Sequence, residues 1–386
     1  MPITRPGPRA LTLAQLRAYA ITRSLFKPVT LAAAFRRMGF VQADPIRAPA
    51  RAQDLILRHR VRGYRDGDLE RRYPRLQIEE DALHNYGFLS RELHALLHPR
   101  VISKRSRIER SHPELAQPIL DFVRENGPTH PRDLDADHGG RSVRNYWGGS
   151  SSAATHMLDL LHYRGQLRVI RRDNGVRVYA TAANHALDVE SGPDGNERVL
   201  RLIAHIVGLY APLPESTLRQ LATMLRYGAP HLEERLRERA VIDKAIDDGR
   251  IARHEAEGRS WIVPAGERIG GDAPAIVRLL APFDPVVWDR RRFEIFWNWR
   301  YRFEAYTPPA KRQLGYYALP MLWGEQVIGW ANLKLEGKDG DRLGVQLGFV
   351  GRRPRDAAFK RECDAEIERM REFIGARRIV KIAAQR

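Results

Sequence analysis

The chain has 386 residues, of which 43% are hydrophobic and 29% charged. This composition supports a folded core and argues against global disorder, and the length predicts two or three domains, or several smaller ones. Lys and Arg number 65 against 47 Asp and Glu, a formal charge of +18, and only eight of the 65 are lysines. Because arginine binds phosphate through paired hydrogen bonds, this excess predicts a polyanionic partner, although a coding bias toward arginine would produce the same composition.

Several classes of protein are excluded by what the chain lacks. No run of 18 apolar residues occurs, so we expect no transmembrane helix and no membrane partner. The N-terminal segment has no continuous apolar stretch, which argues against a secretory signal. A single cysteine, Cys363, excludes an intramolecular disulfide bond and a cysteine-based zinc cluster. We therefore expect a soluble, cytoplasmic protein.

Residues 10–112 show helical periodicity. Helices are predicted over 12–25 and 30–38, each with a threonine at its start, and over 49–58 and 89–97. No clear hairpin follows them. We interpret this segment as a first winged-helix-like domain, less clearly defined than two similar segments downstream.

In residues 113–190 and again in residues 195–268, three predicted helices precede a two-stranded hairpin. This is the order of a winged helix-turn-helix, and its repetition makes an accidental match less plausible. The predicted elements are helices over 118–125, 129–134 and 150–163 with strands over 166–171 and 176–181, and helices over 199–210, 215–227 and 231–248 with strands over 250–255 and 260–263. Gly165 and Gly249 hold matching helix-ending places.

Aromatic residues become frequent after Gly270 and Gly271. Strands are predicted over 316–322, 327–335 and 343–350, with a closing helix over 359–374. We interpret residues 275–386 as a C-terminal β-rich domain with most of its aromatic side chains in the core. The predicted fold class is α+β, with tandem winged helix-turn-helix domains followed by this β-rich domain.

Common catalytic motifs are absent from the sequence. There is no Gly-x-x-x-x-Gly-Lys-Ser/Thr phosphate loop, no Gly-x-Gly-x-x-Gly turn, no His-Glu-x-x-His pair and no Gly-x-Ser-x-Gly motif. His94 and His98 can share one helix face. Because we find no carboxylate or cysteine partner for them in the sequence, we interpret them as solvated surface residues and predict no metal site.

Residues 39–58 distinguish between a protein that only binds DNA and an enzyme that acts on it. Its Gln42-Ala43-Asp44 tripeptide resembles the catalytic Gln-Φ-Asp motif of the YcaQ/AlkZ-type winged-helix DNA glycosylases. Further matches follow in the order expected of that family: Ala281-Pro282-Phe283-Asp284-Pro285, Trp288-Asp289-Arg290-Arg291-Arg292, Glu304-Ala305-Tyr306, Lys311-Arg312 and Gly315-Tyr316-Tyr317. The resemblance spans residues 10–350.

The resemblance implies a monofunctional DNA glycosylase that removes alkylated purines of the N7-alkylguanine type, with interstrand crosslinks as a further substrate class, and leaves an abasic site. Cleavage of the N-glycosidic bond builds an oxocarbenium-like sugar, which a nearby carboxylate stabilises. Asp44 is the candidate for this role and for accepting a proton from the attacking water, and Gln42 for orienting the water or the sugar. No metal or cofactor is required. Without the resemblance, both residues would be interpreted as a cap or turn before Pro45.

Two departures from the family pattern mark a divergent member. The family often has a Trp-x-His-Glu element after the first domain, whereas this chain has Ala82-Leu83-His84-Asn85. Because His84 is retained, we predict it as a possible site residue. The alternative interpretation is a histidine that is packed in the core or exposed at the surface. Position Φ is Ala43, which is smaller than the usual aliphatic residue.

Double-stranded DNA with alkylated bases is the implied partner, and the nucleoid of a bacterial-type cell is the implied location. The arginines predicted to contact DNA are Arg47, Arg51, Arg58, Arg60, Arg290, Arg291 and Arg292. If the first four lie close to Asp44 in space, the pKa of its carboxyl should be low. Three DNA-binding units in one chain predict a monomer. A non-catalytic DNA-binding protein or transcription regulator, and binding to structured RNA, remain open alternatives.

Overall fold

The computed structural model describes residues 11–100, 102, 105–134, 142–144, 150–182 and 194–382. Its helices are α1 (Leu13–Ser24), α2 (Leu31–Met38), α3 (Ala52–Leu57), α4 (Asp68–Arg72), α5 (Arg91–Leu97), α6 (Arg107–Ser111), α7 (Ala116–Asn126), α8 (Ala153–Tyr163), α9 (Gly195–Tyr210), α10 (Glu215–Met224), α11 (Glu233–Arg237), α12 (Val241–Asp247), α13 (Pro285–Trp288), α14 (Arg290–Trp297) and α15 (Ala357–Ile374). Its strands are β1 (Phe40–Gln42), β2 (Ile78–Ala82), β3 (Tyr86–Ser90), β4 (Ser142–Arg144), β5 (Ser150–Ser152), β6 (Leu167–Asp173), β7 (Val176–Thr181), β8 (Leu213–Pro214), β9 (Ile251–Ala256), β10 (Arg259–Pro264), β11 (Val277–Leu279), β12 (Leu319–Trp323), β13 (Gln326–Glu336), β14 (Arg342–Phe349) and β15 (Arg378–Lys381).

The chain divides into two compact units, each assembled from separate stretches. The first unit comprises Met1–Asp68, Ile203–Leu221 and Ile242–Arg386, and the second comprises Leu69–Leu202 and Ala222–Val241. This division is coarser than the four predicted segments and crosses them, because residues 10–112 are divided after Asp68.

Local sequence signals set the ends of α1 and α2 as predicted. Thr12 forms a capping box with Gln15 at the start of α1, and the Thr30 hydroxyl accepts the N–H of Ala33 at the start of α2. Gly39 ends α2 with a φ of 67°, and a Cβ there would lie 1.9 Å from the His205 ring. Glycine is therefore required at this position by backbone conformation and by space, immediately before β1.

In residues 116–181, α7, α8 and the hairpin of β6 and β7 match predicted elements of the second unit. The predicted helix over 129–134 is a single 3-10 turn (Pro131–Leu134), and the paired strands β4 and β5, which precede α8, were not predicted. Gly127 ends α7, the Ser152 hydroxyl caps α8, and β6 pairs antiparallel with β7 around Asn174-Gly175, both of which have positive φ. In residues 195–264 the predicted third helix is divided into α11 and α12, because the backbone becomes extended at Glu238. The hairpin of β9 and β10 is present as predicted and gains β8 as an edge strand.

The hairpin of β2 and β3 was not predicted. Strand β2 contains Glu79, Glu80 and Asp81, and acidic residues are depleted in strands. All three are nevertheless buried, at 5%, 1% and 1% exposure, because each carboxylate pairs with at least one arginine of the second unit. Burial disfavours the charged form of Glu80, but Arg172 and its neighbours outweigh that cost and hold its pKa at about 2. The acidic strand thus depends on partners remote in sequence.

The C-terminal part of the first unit contains a five-stranded sheet in the order β11-β12-β13-β14-β15. The three predicted strands are its centre, and β11 and β15, which were not predicted, form its edges. Neighbours are antiparallel except β14 and β15, which are parallel. The fold is therefore mixed α+β with a β-rich C-terminal sheet. Its aromatic side chains are partly core, as Phe293 and Tyr301 show, whereas Tyr306 is 66% exposed.

Among the described residues, none of the helices combines the length and the apolar character that crossing a bilayer would require.

Candidate active site

Gln42 and Asp44 lie at the end of β1 and in the connection to α3. Asp44 is partly buried, and its Oδ1 accepts the N–H of Ile46 over 2.9 Å. The backbone N–H of Asp44 donates to Oε1 of Gln53, a buried residue of α3, over 3.4 Å. These bonds orient the carboxylate from its own segment of chain.

Trp288 fixes the side chain of Gln42. The indole Nε1–H donates to Oε1 of Gln42 over 3.0 Å, across 246 residues of sequence. Trp288 is the last residue of α13, whose start is capped by the Asp284 carboxylate through the N–H of Val286. The Gln-Ala-Asp segment and the Trp288 segment, both predicted from the family motifs, are therefore in contact.

Two tyrosines of the remaining motifs lie within electrostatic range of the Asp44 carboxylate. Burial, followed by the charge of Asp44, raises the pKa of both Tyr306 and Tyr317. The Tyr317 side chain is 2% exposed, and its hydroxyl has no hydrogen-bond partner in the part of the chain that the structure describes. The neighbouring Tyr301 differs, because its hydroxyl donates to the carbonyl of Ala318 over 2.7 Å. Tyr317 therefore presents a protonated, unsatisfied hydroxyl near Asp44.

Glu304 holds the loop that leads to Tyr317. Its buried Oε2 accepts the backbone N–H groups of Gln313, Leu314 and Gly315 at 2.9, 2.7 and 3.2 Å. Gly315 has a φ of 114°, and a Cβ there would lie 2.4 Å from Oδ1 of Asn332. The conformation of this loop thus depends on a carboxylate anchor and on a residue without a side chain.

The expected low pKa of Asp44 is wrong. Burial raises the pKa of its carboxyl, and the N–H of Ile46 is the opposing influence. The arginines near Asp44 in sequence do not supply a compensating charge, because they pair elsewhere: Arg47 lies 3.1 Å from Asp66, and Arg58 pairs with Glu366. Asp44 is a partly desolvated carboxylate rather than one held in an arginine cluster.

Three of the arginines predicted to contact DNA are interior residues. Arg60 has no exposed surface, and its guanidinium makes two bonds to Asp284, at 2.7 and 3.0 Å, and further bonds to Ser24 and Ile56. Arg292 is 1% exposed and donates to four backbone carbonyl oxygens, of Tyr210, Pro212, Pro285 and Val286. The Arg58 side chain is 4% exposed. Because these guanidinium groups are buried and already bonded to acceptors inside the protein, the prediction that Arg58, Arg60 and Arg292 contact phosphates is corrected.

The four other predicted arginines differ in how much of their side chains is exposed to solvent. Arg291 is exposed on α14, and the Arg47 side chain is 48% exposed. Arg51 precedes α3 and is partly buried. Arg290 is partly buried, with its guanidinium 4.6 Å from the centre of the Tyr301 ring. Arg47 and Arg291 are thus the members of the set best placed to meet a polyanion.

His84 belongs to the second unit. It lies in the turn between β2 and β3 and is 1% exposed. A catalytic role for His84 stays a prediction.

Sequence reasoning assigned no role to Trp288, Tyr306 or Tyr317. All three lie in segments that match the family motifs, so the sequence did indicate that these segments matter. Their residue types are common in cores, and only the hydrogen bond of Trp288 to Gln42 and the electrostatic influence of Asp44 on the two tyrosines distinguish them from packing residues.

Known proteins resemble this chain both in sequence and in fold. The sequence model of the AlkZ-like family, described as DNA glycosylase AlkZ-like, matches residues 35–373. The chain therefore belongs to the AlkZ-like family of DNA glycosylases. Its fold is similar to that of Streptomyces sahachiroi DNA glycosylase AlkZ, with a TM-score of 0.61 at 14% sequence identity over 97% of this chain and 100% of that chain.

Proposed function

We propose that this DNA glycosylase hydrolyses the N-glycosidic bond of alkylated purines, chiefly N7-alkylguanine, and leaves an abasic site. The observation that carries the proposal is the convergence on Gln42 and Asp44 of Trp288 and Tyr317, residues from remote segments of the first unit. A partly buried carboxylate with an oriented amide and an unsatisfied hydroxyl nearby matches what a cationic, oxocarbenium-like transition state needs.

Asp44 would act in its ionised form. Alkylation at N7 places positive charge on the purine, so the departing base needs little protonation, while the sugar becomes cationic as the bond lengthens. A carboxylate that is partly removed from water interacts more strongly with that developing charge than one in bulk solvent. Asp44 would then accept a proton from the attacking water, which adds to the anomeric carbon.

The reaction would be monofunctional. In the part of the chain that the structure describes, the groups found to interact with the Asp44 carboxylate are the N–H of Ile46 and the phenols of Tyr306 and Tyr317, and these cannot form a Schiff base with the sugar. Water is therefore the nucleophile of the proposal, and an abasic site is its product.

DNA would be held by tandem winged helices and by exposed arginines. The repeated order of helices and hairpin in residues 116–181 and 195–264 supports two winged helices, each of which would place a helix in a groove. Arg47, Arg51 and Arg291 would contact phosphates beside the lesion. A chain with this many DNA-binding units would act as a monomer, on the nucleoid of a bacterial-type cell.

The test is base release from duplex DNA treated with a methylating agent, with crosslinked duplex as a separate substrate. Wild type should release 7-methylguanine, and Asp44→Asn should lower the single-turnover rate by about 10²–10³-fold with DNA affinity retained. Asp341→Asn is the matched control, since that acid pairs with Arg342 and Arg378, at 3.9 and 3.7 Å, and neither arginine has a proposed role in the reaction. Sequence-selective binding with no base release from either substrate would favour a DNA-binding protein instead, and release unaffected by Asp44→Asn would remove Asp44 from the mechanism.

A further inference from the structure

Two imidazoles of the second unit converge on a single carboxylate oxygen. Nε2 of His94 and Nε2 of His98 lie 3.2 and 2.9 Å from the same Oδ2 of Asp81. The three ligand atoms all lie within 4.8 Å of one another. The histidines stand one turn apart on α5, with ring centres 4.3 Å apart, and Asp81 comes from β2. The fold brings the Asp81 carboxylate to this histidine pair, although the sequence around the pair suggests no carboxylate partner.

The two oxygens of Asp81 have different surroundings. Oδ1 accepts NH1 of Arg100 over 2.9 Å and the backbone N–H of Ala82 over 2.7 Å. Arg100 is itself fixed, because it also donates to the carbonyls of Ala82, Tyr163 and Gly228 and stacks over the Tyr163 ring. The hydrogen bonds to Oδ1 therefore fix the orientation of the Asp81 carboxylate and would remain if a metal ion were bound. Oδ2 lies next to the two imidazoles and is the oxygen that would coordinate the ion.

Two of the three ligand-atom separations are close to those around a tetrahedral metal ion. Ligand atoms about 2.0–2.1 Å from zinc are about 3.3 Å from one another in a tetrahedron. The observed N···O separations of 2.9 and 3.2 Å need only a small expansion to admit the ion. The His94 and His98 side chains keep 21% and 11% of their surface exposed, while Asp81 keeps 2%, so the histidine side leaves solvent a route to the site.

We propose that His94, His98 and Asp81 bind a zinc ion through Nε2, Nε2 and Oδ2, with water as the fourth ligand. The ion would join β2 to α5, elements already packed against each other, and would stabilise the β2–β3 hairpin. The positive charge of Arg100 weakens the attraction for a dication, so the site would exchange its ion more readily than a cysteine-rich structural site. This proposal is independent of the chemistry at Asp44.

The experiment measures zinc binding by the full-length, tag-free protein. Protein dialysed against chelator is titrated with zinc in competition with a chromophoric chelator, and cobalt is added separately to report tetrahedral coordination by its visible absorption. His98→Gln is the informative variant, because a glutamine amide can still donate to Asp81 but is a poor zinc ligand. His112→Gln is the matched control, since that imidazole forms a single pair with Glu114 at 3.5 Å.

Wild type and His112→Gln should each bind one equivalent of zinc, and zinc should raise the melting temperature of both. His98→Gln should fold, as judged by circular dichroism, and should lose both the tight equivalent and the thermal shift. The proposal is overturned if wild type retains no stoichiometric zinc against the chelator, or if His98→Gln binds zinc as tightly as wild type. If His98→Gln does not fold, His94→Gln is tested instead. Loss of tight zinc binding by that variant supports the proposal, and tight binding equal to that of wild type overturns it.

Discussion

The indole N–H of Trp288 donates to the side-chain carbonyl oxygen of Gln42 over 3.0 Å, joining two family motifs that are 246 residues apart. The bond fixes the orientation of the Gln42 amide next to the segment that carries Asp44. Trp288 also packs against Tyr210, with ring centres 5.0 Å apart, so the indole is held from both sides. It is a positioning residue, since it acts through Gln42.

Trp288→Phe keeps most of the packing and removes the hydrogen bond. We expect the rate of base release to fall by about 2- to 10-fold, because one net hydrogen bond contributes about 0.5–1.5 kcal/mol. The combined variant Trp288→Phe/Gln42→Ala should be no slower than Gln42→Ala alone. Additive losses would mean that Trp288 acts on the reaction by a route other than Gln42.

The raised pKa of Asp44 predicts an acid limb in the pH–rate profile. Since the proposed mechanism uses the ionised form, the rate should rise as pH increases through the folded pKa, with a midpoint above the ordinary value of 3.8. Burial of this charge also costs stability at neutral pH, and the cost disappears as the carboxyl becomes protonated. Asp44→Asn should therefore melt at a higher temperature than wild type at pH 7, and the difference should shrink as pH falls through the folded pKa. Equal melting curves at pH 7 would show that the carboxylate is well solvated.

The Tyr317 hydroxyl is expected to gain its hydrogen-bond partner in the reacting complex. Tyr317→Phe should slow base release by about 10- to 100-fold, as expected for a bond to a charged group worth about 1.5–3 kcal/mol. In that complex the hydroxyl is expected to donate to ionised Asp44, so its loss should also move the acid limb to higher pH. Tyr301→Phe is the control: it removes the bond to Ala318 and should lower stability without moving the limb. An unshifted limb in Tyr317→Phe would indicate a packing role.

Arg60 and Arg47 are expected to respond in opposite ways to substitution. Arg60→Met leaves the Asp284 carboxylate buried without its partner, so the free energy of unfolding in urea should fall by about 3–5 kcal/mol. Arg47→Ala should leave stability nearly unchanged, weaken DNA binding and reduce the slope of log affinity against log salt by about 1. A stable Arg60→Met protein with weakened DNA binding would restore Arg60 to the DNA-contacting set.

Much of the local structure was predictable from short-range signals. Threonine caps at Thr12 and Thr30, the Asn174-Gly175 turn and the period of apolar residues act over a few positions, so the ends of α1 and α2 and the β6–β7 hairpin follow from neighbouring residues. The family motifs also identified Gln42 and Asp44, because their type and order are visible in the sequence.

Burial and charge compensation were decided by the tertiary structure alone. Whether an arginine meets a phosphate or a buried carboxylate depends on partners hundreds of residues away, as Asp284 shows for Arg60. The same holds for the acidic strand β2, and for Asp81, which reaches His94 and His98 only through the packing of β2 with α5. The sequence by itself determined most of the local elements, the family and the candidate acid at position 44. The tertiary structure decided that this acid is desolvated rather than paired, because desolvation and ion pairing depend on distances that the order of residues does not contain.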